Sequence, residues 1–199
     1  MENSTQLNLI SMSEINAEEV HWLWYPYIPL GKLTIIQGDP GEGKTSFILA
    51  VIAALTRGEP LPECAQAAKP MNVIYQTAED GLADTIKPRL ENAGADCTRV
   101  LVIDESKQEL TLCDARLEQA IRKTSAKLIV LDPLQAYLGS DVDMHRANEV
   151  RPVLKRLSLM AERTQCAVIL IGHMNKAQGL RQAIEVLGPL IFVHRPGVY

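Results

Sequence analysis

Eight consecutive residues, Gly38-Asp39-Pro40-Gly41-Glu42-Gly43-Lys44-Thr45, set three glycines, a lysine and a hydroxyl in the order G-x-x-x-x-G-K-[ST]. The chemistry such a segment can do is the capture of a triphosphate. Glycines let the backbone curl so that successive N–H groups face anionic oxygens, and a helix N-terminus adds partial positive charge. Lys44 is placed to reach the terminal phosphates, Thr45 to put its hydroxyl on magnesium, and Ser46 to extend the same turn. The expected ligands are ATP and Mg2+. The other reading is a glycine-rich turn with an accidental Lys-Thr. Against it stands the context: the apolar run Lys32-Leu33-Thr34-Ile35-Ile36-Gln37 precedes the segment and a helical stretch follows.

A cation bound with a triphosphate needs a carboxylate. The run Leu128-Ile129-Val130-Leu131 ends in Asp132-Pro133, so Asp132 would stand at the tip of a buried strand and hold magnesium. Hydrolysis also needs a group to polarise the attacking water. Pro133, next to Asp132, cannot do it. Glu79, in Tyr75-Gln76-Thr77-Ala78-Glu79-Asp80-Gly81, is the candidate, with Asp80 its competitor. Both carboxylates could instead favour the N-terminus of the helix that opens near Leu82. A last strand ends in Gly172-His173-Met174-Asn175-Lys176, where His173 could sense the terminal phosphate or serve as an ordinary hydrogen-bonded strand-end histidine.

Apolar runs near residues 32–37, 72–76, 100–103, 128–131 and 167–171 are rich in Val and Ile and nearly continuous, as strands buried on both faces are. Helical stretches are expected at about 44–57, 82–93, 115–124 and 146–163. In the last, Val150, Val153, Leu154, Leu157 and Met160 recur at helical spacing. Strand-helix alternation predicts an α/β domain, a parallel sheet flanked by helices. Residues 1–20 read as an N-terminal arm, 21–176 as the core and 177–199 as an atypical tail. Trp22, Trp24, Tyr25 and Tyr27 concentrate before the first strand, either packed on the core or offered as a base platform or partner surface.

The formal charge of −4 argues against a broad basic surface for nucleic acid, though not against a local one. Cys64, Cys97, Cys113 and Cys166 have no metal-ligand spacing and read as buried or half-buried side chains. The polar, acidic start is no signal peptide, and no apolar run nears the roughly 18 residues of a membrane span. A cytoplasmic location is expected.

Taken together, these segments resemble the RecA-like hexameric P-loop ATPases grouped with the plasmid replicative helicase RepA. The carriers run from about Trp22 to Lys176. They are Trp24-Tyr25-Pro26-Tyr27-Ile28-Pro29, the glycine-rich loop, Thr77-Ala78-Glu79-Asp80, Leu131 to Gly139, Ala161-Glu162-Arg163-Thr164 and Gly172 to Lys176. The resemblance implies a ring of subunits with ATP at the interfaces and single-stranded DNA in the channel. It also implies a mobile loop at 139–151 near that DNA, with Arg146 and Lys176 as phosphate contacts or as ordinary solvated charges. A non-helicase ATP-dependent switch or loader, or an inactive nucleotide-binding remnant, are the rival readings.

After Lys176 the pattern departs. Such ATPases continue with a segment like Ser-Ile-Asp-Ile-x-x-x-Ala-Arg-Ser-Val, whose arginine reaches the neighbouring subunit's ATP. Here the chain reads Leu187-Gly188-Pro189-Leu190-Ile191-Phe192-Val193-His194-Arg195-Pro196-Gly197-Val198-Tyr199. Back-translation in a shifted frame allows the expected pattern. The expectation is therefore a frameshifted tail that lacks C-terminal strands and the trans-acting arginine, with weak or absent ATPase activity, poor solubility and a bare sheet edge; the alternative is a natural short C-terminus.

Overall fold

The computed structural model describes residues 7–64, 69–173 and 190–192, with His173 and 190–192 described through their backbone alone. The core begins with an antiparallel hairpin of β1 (Trp22–Trp24) and β2 (Ile28–Pro29). Then come β3 (Leu33–Gly38), α1 (Lys44–Arg57), β4 (Val73–Thr77), α2 (Lys87–Asn92) and β5 (Val100–Leu101). They are followed by α3 (Ala115–Thr124), β6 (Leu128–Asp132), α4 (Ala147–Thr164), β7 (Ala167–His173) and β8 (Leu190–Phe192). The main sheet has six strands in the order β5-β4-β6-β7-β3-β8, each neighbouring pair parallel.

Successive side chains of a strand point to opposite faces, and here both faces are covered. Ile129 and Leu131 enter the core made with Leu117 and Ile121 of α3 and with Val150, Leu154 and Leu157 of α4. Leu128 and Val130 enter the other, made with Ile48, Ile52 and Leu55 of α1 and with Leu90 of α2. This explains why the strand runs carry no polar alternation. Helix ends follow local chemistry. Asp114 caps α3 by accepting from the Arg116 N–H, and α1 stops at Gly58, whose φ of 72° suits glycine.

The structure corrects several expectations. The strand expected at 100–103 pairs only over Val100 and Leu101. Beyond it the Gln76 side chain replaces the ladder: its Oε1 accepts from Ile103 N at 2.5 Å, and its Nε2 donates to Ile103 O at 3.3 Å. The helix expected from 82 begins as a π turn at Leu82–Ile86 before α2. Residues 147–151, expected within a mobile loop, are the first turns of α4. Cys113 is exposed, in the turn before the Asp114 cap, while Cys166 is buried and Cys64 and Cys97 half-buried.

Two expectations concerned the chain's flanks. Of the aromatic cluster, Trp24 alone is buried. It donates from Nε1 to Pro62 O at 3.0 Å and lies beside Phe47 of α1, whereas Tyr25 is well exposed. The tail was expected to leave the sheet edge bare. Instead Leu190–Phe192, an apolar run suited to a strand, pairs in parallel with Ile35–Gln37 and covers the β3 edge. Lys176 and the rest of 174–189 and 193–199 lie outside the described residues. Among the described residues no helix is long and apolar enough to cross a membrane.

Candidate functional site

Parallel strands bring their carboxyl ends to one edge of the sheet, where ligands of such folds bind. The register makes the convergence specific. Thr77 of β4 pairs with Asp132 of β6, and Gly38 of β3 pairs with His173 of β7. The ladder continues one residue past β4, with Ala78 N donating to Asp132 O at 3.1 Å, so Glu79 and Asp80 follow directly at the Asp132 tip. The backbone of His173 is thus placed beside the loop that opens at Gly38, and its side chain lies outside the description.

The loop from Gly38 to Thr45 links β3 to α1. Gly41 and Gly43 have φ of 83° and 86°, a backbone that side chains rarely adopt, and nothing lies within 4 Å of where a Cβ would stand. Glycine is therefore needed here for conformation rather than for space. Glu42 folds back to accept from Asp39 N at 2.6 Å. Lys44, only 5% exposed, donates from Nζ to Gly38 O at 2.9 Å and to Asp39 O at 2.7 Å. A buried ammonium held by neutral carbonyls is a cation poised for an anion. The cavity above the loop, about 430 Å³, is lined by Gly41, Gly43, Lys44, Thr45, Ser46 and Arg89.

Asp132 is 6% exposed, and both the Thr45 hydroxyl and the Tyr75 hydroxyl donate to its Oδ2 at 3.0 Å. Burial pushes its carboxyl up, the two hydroxyl bonds work against that, and the nearby carboxylates of Asp80 and, less, Glu79 add to the rise. Burial likewise holds the Tyr75 hydroxyl protonated. This is the environment of a carboxylate awaiting a cation. Among the described residues no cluster of His, Cys, Asp and Glu could by itself hold a metal. Thr45 and Asp132 do fit magnesium, which usually takes one or two protein oxygens and completes its shell with phosphate and water. Magnesium bound there would draw charge from the terminal phosphate oxygens.

A consequence can be measured. A carboxyl raised on folding contributes stability that is fully present below its unfolded value and is lost as pH rises through the folded one. Ionised Asp132 therefore weakens the ligand-free fold at neutral pH. Asp132→Asn keeps an acceptor for both hydroxyls and is expected to raise the thermal midpoint by a few degrees at pH 7. The gain should shrink as pH falls and vanish below about pH 3, where the carboxyl is protonated in both states.

Two features lie beyond the sequence motifs. Tyr75 interrupts an otherwise aliphatic run, and that polar tip was the available signal. Arg89, on α2, carries no motif. Only folding brings it over the loop, with its Nη1 3.7 Å from Asp80 Oδ2. The Asp80 backbone N–H also donates to Thr77 Oγ1 at 3.2 Å. Glu79 is exposed and Asp80 half-buried. Arg146, at the N-terminus of α4, is ion-paired to Asp143 at 3.3 Å and Glu149 at 3.4 Å.

The AAA domain family model matches residues 6–179. DNA repair protein RadA of Halalkalibacterium halodurans is 25% identical over 166 residues, 82% of this chain and 31% of that protein. DNA repair protein RadA of Haemophilus influenzae is 26% identical over 184 residues, 86% of this chain and 36% of that protein. RadA of Escherichia coli strain K12 is 25% identical over 166 residues. The chain spans about a third of the length of these curated relatives.

Proposed function

The chain belongs to the AAA domain family and has a RecA-like P-loop fold, and from that premise we propose that it binds ATP with magnesium and hydrolyses it to drive action on DNA. The observation that carries this reading is the convergence of Lys44, Thr45 and Asp132 with the Glu79-Asp80 pair at one sheet edge. In it, the loop N–H groups and Lys44 hold the phosphates, and Thr45 and Asp132 hold the cation. Glu79 orients the water, Arg89 steadies a phosphate from α2, and His173 reads the terminal phosphate from β7. Chains assemble as a ring around single-stranded DNA, in the manner of a replicative helicase. The DNA substrate draws support from relatives named as DNA repair proteins. Arg146 and Lys176 are the DNA-contact candidates, and a cytoplasmic location goes with this reading.

Two observations favour a second reading, an ATP-dependent switch or loader that acts on protein. Arg146 is already paired with the carboxylates of its own segment, and the formal charge is −4. Steady-state phosphate release with and without single-stranded DNA separates the two. The DNA reading expects stimulation by DNA that falls as salt rises. Turnover indifferent to DNA at low salt contradicts it.

A further inference from the structure

The hydroxyl of Tyr137 is buried and has no hydrogen-bond partner among the described residues. The whole residue is 1% exposed. A buried hydroxyl left unpaired is costly, and phenylalanine would fill the same space without that cost. Tyrosine at this position therefore calls for a partner.

The surroundings say which groups are within its reach. Tyr137 ends the single 3-10 turn Leu134–Tyr137, which follows Asp132-Pro133. It lies in the core with Leu110, Leu112 and Leu131, and its carbonyl accepts from Leu112 N at 2.7 Å. It thus packs against the segment that returns from β5, and that segment carries Glu105. Glu105 Oε1 accepts from Gln76 Nε2 at 2.6 Å, and its Oε2 accepts from Leu110 N at 3.0 Å. Gln76 pairs with Leu131, one residue before the Thr77–Asp132 pair. Burial, and then the carboxylates of Glu105 and Asp132, hold the Tyr137 hydroxyl protonated. Two carboxylates bear on this hydroxyl, and neither bonds it directly.

One water satisfies all three groups. It accepts from the Tyr137 O–H and donates one hydrogen to each carboxylate, whose oxygens have lone pairs to spare. We infer that Tyr137 and Glu105 are positioning residues for Asp132, joined to it through such a buried water. Tyr75 belongs to the core on one face of the sheet and Tyr137 to the core on the other. Asp132 is then fixed from both faces, by the Thr45 and Tyr75 hydroxyls on one and by the water on the other. Groups behind a metal ligand commonly change metal affinity by about tenfold or more. The consequence for magnesium rests on the proposed function; the water link does not.

The test uses the full chain and begins with stability, which needs no nucleotide. Tyr137→Phe keeps the packing and removes the hydroxyl, and its thermal midpoint is expected to fall by about 2–4 °C. A rise would mark an orphan hydroxyl and end the inference. In an Asp132→Ala background the water has already lost a partner, so the same substitution should cost less than about half as much. Glu105→Ala gives the same comparison for the other carboxylate. An equal cost in the wild-type and Asp132→Ala backgrounds would separate Tyr137 from the cation site. The second readout is magnesium. In Tyr137→Phe the magnesium needed for half-maximal ATP binding should rise about tenfold, while ATP affinity in EDTA stays unchanged. A loss of the same size in EDTA would mean general loosening and contradict a positioning role. If the wild type binds no magnesium–ATP, the proposed function falls, and the stability comparison alone decides whether Tyr137 and Asp132 are joined.

Discussion

Lys44→Ala should lose magnesium–ATP binding by at least about a hundredfold, or roughly 2.7 kcal/mol, with little change in thermal midpoint. The size follows from the surroundings. The ammonium is buried, it donates to the carbonyls of Gly38 and Asp39, and it lines the cavity above the loop. A hydrogen bond to a charged group contributes about 1.5–3 kcal/mol, and more where water is excluded. Alanine removes the charge without removing packing, since the helix it opens is held by Ile48, Ile52 and Leu55 farther on. Titration calorimetry gives the affinity and a thermal melt the fold. A folded variant that binds as tightly as the wild type would place the phosphates elsewhere.

The second large effect separates binding from turnover. Glu79→Gln should keep nucleotide affinity within a few-fold and slow phosphate release by about 10²–10⁴, the usual contribution of a positioned base. The amide keeps the shape and loses the charge that would polarise water. The comparison variant is Asp80→Asn. Asp80 bears more strongly on Asp132 than Glu79 does, and it faces Arg89. It is thus the better placed of the two to hold α2 over the loop, and its loss should weaken affinity more than rate. If Asp80→Asn slows release while Glu79→Gln does not, the base is Asp80. Single-turnover release at saturating nucleotide distinguishes these cases.

Much of this architecture was legible in the chain because it is written locally. Leu128 to Leu131 are apolar without alternation, which only a doubly covered strand tolerates, and the loop's glycines sit where a tight turn must precede a helix. Asp132 could be placed from its position at the end of such a run. What could not be read depends on groups far apart in sequence. Gln76 ends β5 by bonding Ile103, 27 residues away, and no local pattern announces that a side chain will replace a ladder. Tyr75 reaches Asp132 across 57 residues. Arg89 enters the site through the packing of α2, set by Leu90 in the core beneath it rather than by any feature of the arginine. The covered β3 edge is illegible for a different reason: Leu190 to Phe192 is too short an apolar run to mark a strand until Ile35 to Gln37 supplies its partner.

Hydrogen exchange of the full chain with and without magnesium–ATP shows most directly whether one nucleotide is held where these strand ends meet. Joint protection of the backbone at 41–46, at 78–80 and around Asp132 is expected, abolished when EDTA removes magnesium. Protection confined to any other region at saturating nucleotide, or none at all in a folded chain, would contradict it.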